Sequence, residues 1–228
     1  MTRDLVFTGF EGDDGSADPA LAAALTSQDP SALMRALHRA RLLVPIVAEP
    51  VETAVQSGLA VDKQTDMAAV TLVASDGERA LPVFTSLASL TAWDAQARPV
   101  PVTSARAGQA AVSERCDVIV IDVAGPTTFA LRPSMVWALA QEREWVAPHL
   151  DPFVEMSVSR ALADEPAVRR HHLEEGVPAG RGVLGVALEL QDGLESTHIQ
   201  EIATRVGERL ATDGEFRARI DGLAFRVT

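Results

Sequence analysis

The sequence of 228 residues contains no tyrosine and only one cysteine, and 4% of its residues are aromatic. Because a single cysteine has no partner within the chain, an intrachain disulfide is excluded. The scarcity of aromatic residues means that the core must consist mainly of Ala, Val, Leu and Ile. Hydrophobic residues nevertheless make up 47% of the chain, which is typical of a globular protein with a sizeable core.

Long apolar runs and an excess of positive charge are also missing. No run approaches the roughly 20 apolar residues that span a bilayer, and residues 1–17 contain no apolar signal region. The net charge of −12 repels phosphate backbones and anionic lipids. We therefore expect neither nucleic acid nor a membrane as a partner, and we expect the chain to be cytoplasmic.

One stretch, residues 81–86 (LPVFTS), organises the predicted fold because it passes directly from a strand to a helix. Val83 and Phe84 favour a strand. Thr85 or Ser86 can cap the amides of a following helix. Apolar residues three positions apart then predict a helix to about residue 95.

The rest of the chain predicts further helices and strands, separated by proline, glycine and aspartate signals. Pro45 cannot donate to a β-ladder, which predicts that its strand lies at the edge of a sheet or is paired on one side only. Helices are predicted near 18–28, 29–41, 105–115, 134–143, 166–175 and 196–213, strands at 42–47, 66–74, 80–84, 99–102, 117–123, 129–131, 153–163, 183–190 and 223–227, and a loop at 48–65, with an irregular strand at 51–59 as an option.

This order predicts an α+β protein made of two mixed α/β subdomains, each a small sheet covered by helices. Pro148 and Pro152 interrupt the pattern and predict a domain boundary. We expect a flexible tail at 1–17, a domain at 18–148 and a second domain at 149–228.

Several motifs resemble the N-terminal domain of the SseB family, which is named after an enhanced-serine-sensitivity phenotype. The resemblance covers about residues 40–148, and the region after 150 resembles the family's C-terminal domain more loosely. It implies a fold but no catalytic residues, and Val123 departs from the proline expected in many relatives. The motifs are LPVFTS at 81–86 with Trp93, DVIVID at 117–122 with Ala124-Gly125-Pro126, and Trp137-Ala138-Leu139.

Three patterns could indicate chemistry, and for each we favour a structural interpretation. Residues 180–185 match the dinucleotide motif G-x-G-x-x-G, but these glycines precede a predicted strand instead of a helix. Cys116 has Arg115 beside it but no nearby histidine, so we expect a structural thiol. His171 and Glu175 would share a helical face, but a third metal ligand is not evident.

The best candidate for a polar pocket or an interaction site lies at the carboxyl end of the predicted central strand, where open sheets form their sites. A helix cap, a turn and core packing are the structural alternatives for its members. The candidate residues are Phe84, Thr85, Ser86, Trp93, Asp122 and Gly125.

These observations predict a non-catalytic binding or scaffold protein without catalytic residues, cofactor or metal. The expected partner is another protein or a second copy of the chain. One alternative is an enzyme or small-molecule sensor with a pocket near Asp122 and the turn at 84–86. Another is a groove in which a peptide adds a strand along the edge near Pro45.

Overall fold

The computed structural model describes residues 10, 12–48, 67–75 and 77–228. The chain forms two compact units, which we name the N-terminal unit (1–28 and 39–130) and the C-terminal unit (29–38 and 131–228). The predicted α+β class is confirmed. The predicted division into domains at 18–148 and 149–228 stays a prediction.

Helices and strands alternate irregularly along the chain. The helices are α1 (Pro19–Ser27), α2 (Pro30–Leu37), α3 (Leu87–Trp93), α4 (Ser104–Ser113), α5 (Pro133–Ala140), α6 (Pro152–Leu162), α7 (Ser196–Ala211) and α8 (Gly214–Arg219), with a 3₁₀ turn at Pro148–Leu150. The strands are β1 (Arg41–Ala48), β2 (Met67–Ala69), β3 (Leu72–Val73), β4 (Arg79–Val83), β5 (Arg98–Thr103), β6 (Val118–Ile121), β7 (Phe129–Leu131), β8 (Val168–Glu175), β9 (Val183–Leu190) and β10 (Gly222–Val227).

Two small sheets form the framework of the N-terminal unit. One has the order β2-β1-β5, and the other has the order β3-β4-β6-β7. Strands β4 and β6 run parallel, whereas β3 and β4 form the predicted antiparallel hairpin. The backbone of Leu43 in β1 exchanges two hydrogen bonds of 2.8 Å with Phe84, which follows β4. The end of β4 is thereby fixed beside β1.

The edge position predicted for the strand around Pro45 is wrong, because β1 lies between β2 and β5. Pro45 is opposite Pro99 of β5, and its carbonyl accepts a bond from Val70 N on the other side. Its backbone polar atoms therefore face away from β5, so this ladder loses no donor at the proline. The alternative in which a peptide adds to an edge near Pro45 is contradicted with it.

Local sequence signals in the first half of the chain are confirmed. The carboxylates of Asp18 and Asp29 accept bonds from the first amides of α1 and α2, each of which starts with a proline. The predicted apolar strand at 117–123 is β6, and Ile119 and Ile121 are fully buried. The predicted loop at 48–65 and the start of the hairpin at Asp66 lie, apart from residue 48, outside the described residues.

The C-terminal unit contains one sheet of order β10-β9-β8, in which β9 runs parallel to β10 and antiparallel to β8. The apolar side chains of β9 alternate onto one face and pack against α6, α7 and α8. The predicted strands at 183–190 and 223–227 are confirmed as β9 and β10. No helix among the described residues has the length and hydropathy of a membrane span.

Two predictions between residues 150 and 175 are wrong. The predicted strand at 153–163 is helix α6, and the predicted helix at 166–175 is strand β8. Asp151 caps α6 just as Asp18 caps α1, so a start signal was present in the sequence. Strand β8 (VRRHHLEE) carries no strong local β signal, and its conformation depends on the ladder with β9.

Candidate functional site

The parallel pairing of β4 with β6 brings the ends of both strands together. Val83 is the register partner of Ile121, so the residues that follow these strands meet at one edge. Asp122 Oδ1 accepts a bond of 2.9 Å from Thr85 N, and Asp122 Oδ2 accepts one of 2.7 Å from Thr85 Oγ1. Both side chains are buried. A single residue therefore satisfies both oxygens of the carboxylate.

The backbone around Asp122 is a tight turn. Asp122 has a φ of +49°, a left-handed conformation that aspartate tolerates better than most residues. Its N–H donates to Val83 O at 2.9 Å, and its carbonyl accepts from Gly125 N at 2.8 Å. A Cβ atom at position 125 would lie 3.1 Å from the carbonyl oxygen of Asp122, so glycine suits this close approach. The turn holds the carboxylate in place.

The other candidate residues belong to the start of α3 and to its packing. Ser86 is the N-cap of α3 and forms a capping box with Ser89. Phe84 is fully buried, and the centroid of its ring lies 5.3 Å from the ring centroid of Trp93. The structure thus brings all six candidate residues into one region of the N-terminal unit, but the contacts of Phe84 and Ser86 are those of a core residue and a cap.

The arginine at the start of β1 is a member of this region that sequence reasoning missed. The guanidinium of Arg41 forms an ion pair with Asp13 and donates bonds to Thr85 O at 2.6 Å and to Ser16 O at 2.9 Å. The hydrogen bond from Arg41 lowers the pKa of the Asp13 carboxyl. Residue 13 lies within the predicted flexible tail at 1–17, whose first nine residues lie outside the described ones. The flexibility of that tail stays a prediction.

With this geometry in view, comparison with known proteins identifies the family. The sequence model of the SseB protein N-terminal domain matches residues 18–138, which include the whole candidate site. The chain belongs to the SseB family. Neither the curated proteins nor the solved structures contain a match to the chain. The looser resemblance of the region after 150 to the family's C-terminal domain stays a prediction.

The other patterns of this SseB-family chain have structural explanations. Gly180 and Gly182 precede strand β9, as expected if the G-x-G-x-x-G match is the entry to a strand. Both have positive φ. Burial raises the pKa of the Cys116 thiol, whereas a nucleophilic thiol needs a lowered pKa.

The two-ligand pattern of His171 and Glu175 is wrong, because both residues lie on a strand, where positions four apart are separated by about 13 Å. His171 Nε2 instead lies 2.9 Å from Glu155 Oε1 and 3.3 Å from Ser159 Oγ. Glutamate and serine share one ring nitrogen, so these groups do not form the relay of a catalytic triad. Among the described residues, no group of three or more His, Cys, Asp and Glu side chains is placed to hold a metal ion.

A cavity of about 230 Å³ lies in the C-terminal unit, and its lining includes none of the six candidate residues of the predicted site. Its walls are mostly apolar, and Arg132 is one of the lining residues. No pattern in the sequence predicted this cavity, because its lining comes from several separate segments: α2, the residue before α5, residues 145–150, the end of β8 and the segment that leads into β9. The lining residues are Pro30, Ser31, Arg132, Trp145, Ala147, Pro148, His149, Leu150, Glu175, Gly180, Gly182 and Val183.

A buried polar network supports one wall of the cavity. Asp221 Oδ1 accepts a bond of 2.7 Å from Ser134 N, and Asp221 Oδ2 accepts bonds from Ser134 Oγ at 2.8 Å and from Arg132 Nε at 3.0 Å. Trp145 Nε1 donates to Ser134 Oγ at 3.1 Å. A Cβ atom at Gly182 would collide with the Asp221 carboxylate, so the loop approaches this network as closely as only glycine permits.

Proposed function

We propose that this SseB-family chain is a non-catalytic protein that acts in the cytoplasm by binding another protein. The observation that carries the proposal is the closed pair of Thr85 and Asp122. A general acid or base must come within hydrogen-bond distance of its substrate. Here both carboxylate oxygens accept bonds from Thr85, and both side chains are buried, which supports a structural role for the pair.

The surface beside this pair supports contact with a protein. Helix α3 begins directly after the Thr85 segment of the pair, and Leu87 is 42% exposed. Trp93, at the other end of α3, is partly exposed and packs on the buried ring of Phe84. Apolar side chains on a firmly held element are suited to an interface because little conformational freedom is lost on binding. The single buried Cys116 is in keeping with a reducing compartment.

Affinity capture with matched baits tests the proposal. The tagged chain would be incubated with extract of its native cells, alongside Leu87→Ser and a control, Val112→Ser, which alters a residue that is 60% exposed on α4. We expect one protein to be retained in stoichiometric amount by the wild-type and control baits and at least fivefold less by Leu87→Ser. Nuclease or detergent treatment should not change the result.

Two results would contradict this function. Equal retention of every protein by all three baits would remove the α3 surface as the interface. Saturable turnover of a substrate by the purified chain, lost in Asp122→Asn, would support the alternative of an enzyme with a pocket near Asp122. Both outcomes can be read without knowledge of the partner in advance.

A further inference from the structure

We propose that the cavity of the C-terminal unit is a binding site for a small organic carboxylate with a flat apolar body. This inference is independent of protein binding at α3. It starts from the position of Arg132, which lines the cavity and whose side chain is only 14% exposed. A guanidinium is the side chain best suited to bind a carboxylate, because its parallel N–H groups match the two oxygens.

Arg132 keeps donors for a ligand. An arginine has five N–H groups, and within the described part of the chain two of them bond to protein, one to Asp221 Oδ2 and one to Gly180 O. These two bonds fix the plane of the guanidinium and leave three N–H groups for an acceptor. The position of the charge is therefore set before a ligand arrives, which lowers the entropic cost of binding.

Asp221 pairs with Arg132 but does not use up its donors. Ser134 donates both its N–H and its hydroxyl to the Asp221 carboxylate, and Ser134 lies at the N-terminal end of α5. Partial positive charge at that helix end also stabilises the carboxylate. Asp221 therefore accepts two bonds from Ser134 and one from the guanidinium, so it engages one N–H group of Arg132. Among the described residues that line the cavity, Glu175 is the one with a carboxylate, and its Oε1 accepts a bond of 2.6 Å from Gly180 N.

The size and shape of the cavity limit the rest of the ligand. A volume of about 230 Å³ lies below the roughly 300 to 1,000 Å³ of typical sites for drug-sized ligands. A ligand of about a dozen non-hydrogen atoms or fewer is expected from this volume. Trp145 contributes a flat indole to the lining, and Pro148 and Pro30 add compact apolar rings, which together suit a planar apolar body.

The test uses three probes of similar size that differ in charge: benzoate, benzamide and benzylamine. The full chain, labelled with ¹⁵N, gives three tryptophan indole signals, because it contains three tryptophans. Trp145→Phe assigns the signal of Trp145, whose indole N–H bonds to Ser134 beside the cavity. We expect benzoate to shift this signal saturably with a Kd in the millimolar range, as befits so small a ligand. Benzamide and benzylamine should bind at least tenfold more weakly.

Two variants separate the site from other effects. Arg132→Lys keeps the positive charge but not the fork of donors, so the preference for benzoate over benzamide should fall to within about threefold. Ala147→Leu fills the cavity and should abolish the shift, whereas Ala211→Leu, at an exposed position on α7, should leave it unchanged. The signals of Trp93 and Trp137 report whether each variant stays folded.

The proposal is overturned if none of the probes shifts the Trp145 signal at 20 mM, a concentration about tenfold above the expected Kd. It is equally overturned if benzylamine or benzamide binds as tightly as benzoate, because the guanidinium would then select nothing. Failure of this test leaves the capture experiment at α3 unaffected, since the probes report only on the C-terminal unit.

Discussion

Each unit of the molecule contains an aspartate whose side chain is buried and held in the same way. In the N-terminal unit, Thr85 gives its backbone N–H to one oxygen of Asp122 and its hydroxyl to the other. In the C-terminal unit, Ser134 gives the same two groups to Asp221. The difference is Arg132, which adds a third bond to Asp221 and lines a cavity.

This difference shows how one arrangement serves two purposes. At Asp122 the donors and acceptors match in number, and the pair closes a turn between a strand and a helix. At Asp221 the added guanidinium brings more donors than the carboxylate needs, and Arg132 also lines a cavity. A buried aspartate is therefore a poor sign of a binding site by itself, and unused donors beside it are a better one.

The largest expected effect is the loss of the closed pair. Asp122→Ala leaves the N–H and hydroxyl of Thr85 buried without acceptors and places alanine at a φ of +49°. We expect the free energy of unfolding to fall by about 3 kcal/mol. Urea denaturation followed by fluorescence measures it. Asp122→Asn, which tolerates this φ and keeps one acceptor oxygen, should lose about half as much, and equal losses would contradict the role of the carboxylate bonds.

The same change at the second aspartate should cost less. Asp221→Ala also leaves two donors of Ser134 without an acceptor. The cost should be smaller here, because Arg132 lines a cavity that water can enter. We expect a loss of about 2 kcal/mol in urea denaturation. Arg132→Gln, which leaves the two Ser134 bonds in place, should cost about 1 kcal/mol. A larger loss for Asp221→Ala than for Asp122→Ala would break the comparison.

A carboxylate held by charge instead of by neutral donors gives a third point of comparison. Glu165 is buried and accepts bonds from Arg205 at 2.7 and 3.1 Å, and Arg209 lies 2.9 Å away. The hydrogen bonds from Arg205, followed by the charges of both arginines, lower the pKa of Glu165. Because the folded state binds the proton less tightly than the unfolded state, this stabilisation is present above the unfolded pKa and is lost as pH falls.

We therefore expect stability to decline as pH falls below about 4.5, the ordinary pKa of glutamate, and to go on falling through the lower folded pKa. The free energy of unfolding should fall between neutral and acid pH by roughly 1 to 2 kcal/mol less in Glu165→Gln than in the wild type. Thermal unfolding of both proteins between pH 3 and 7 measures the difference. Parallel curves would mean that Glu165 contributes no pH dependence. Glu195→Gln, which alters an exposed residue, serves as the control.

The N-terminal site could be predicted because each of its parts is signalled locally. Thr85 and Asp122 directly follow the two apolar strands, so parallel pairing of those strands was enough to bring them together. Arg41 was missed because its partner Asp13 is 28 residues away and no pattern links the two positions. The same reason explains the missed network of Arg132 and Asp221, which lie 89 residues apart.

The second half of the fold was harder to predict because local and tertiary preferences disagree there. Strand β8 pairs with the apolar strand β9 and points Leu173 into the core, yet its charged residues gave a helical pattern as plausible as an extended one. The segment of α6 was predicted as a strand, although Asp151-Pro152 is the same helix start signal as Asp18-Pro19 and Asp29-Pro30 near the N-terminus. Cap signals therefore deserve more weight than apolar content in such segments.

The smallest expected change in the free energy of unfolding comes from a comparison of two buried serine hydroxyls, one that donates to a carboxylate and one without a hydrogen-bond partner among the described residues. Ser157 is buried in α6, and its Oγ has no hydrogen-bond partner among the described residues. Ser157→Ala should change the free energy of unfolding by no more than about 0.5 kcal/mol, and in the stabilising direction, because an unpaired buried hydroxyl is removed.

Ser134→Ala is the matched comparison, since both serines are buried on helices of the C-terminal unit. It removes the bond to Asp221 and the acceptor of Trp145 Nε1, and it should cost about 1 to 2 kcal/mol. Urea denaturation of the two variants side by side gives the sign as well as the size. If Ser157→Ala destabilised the chain as much as Ser134→Ala, burial of the hydroxyl alone would explain both, and the bonds to Asp221 would lose their assigned role.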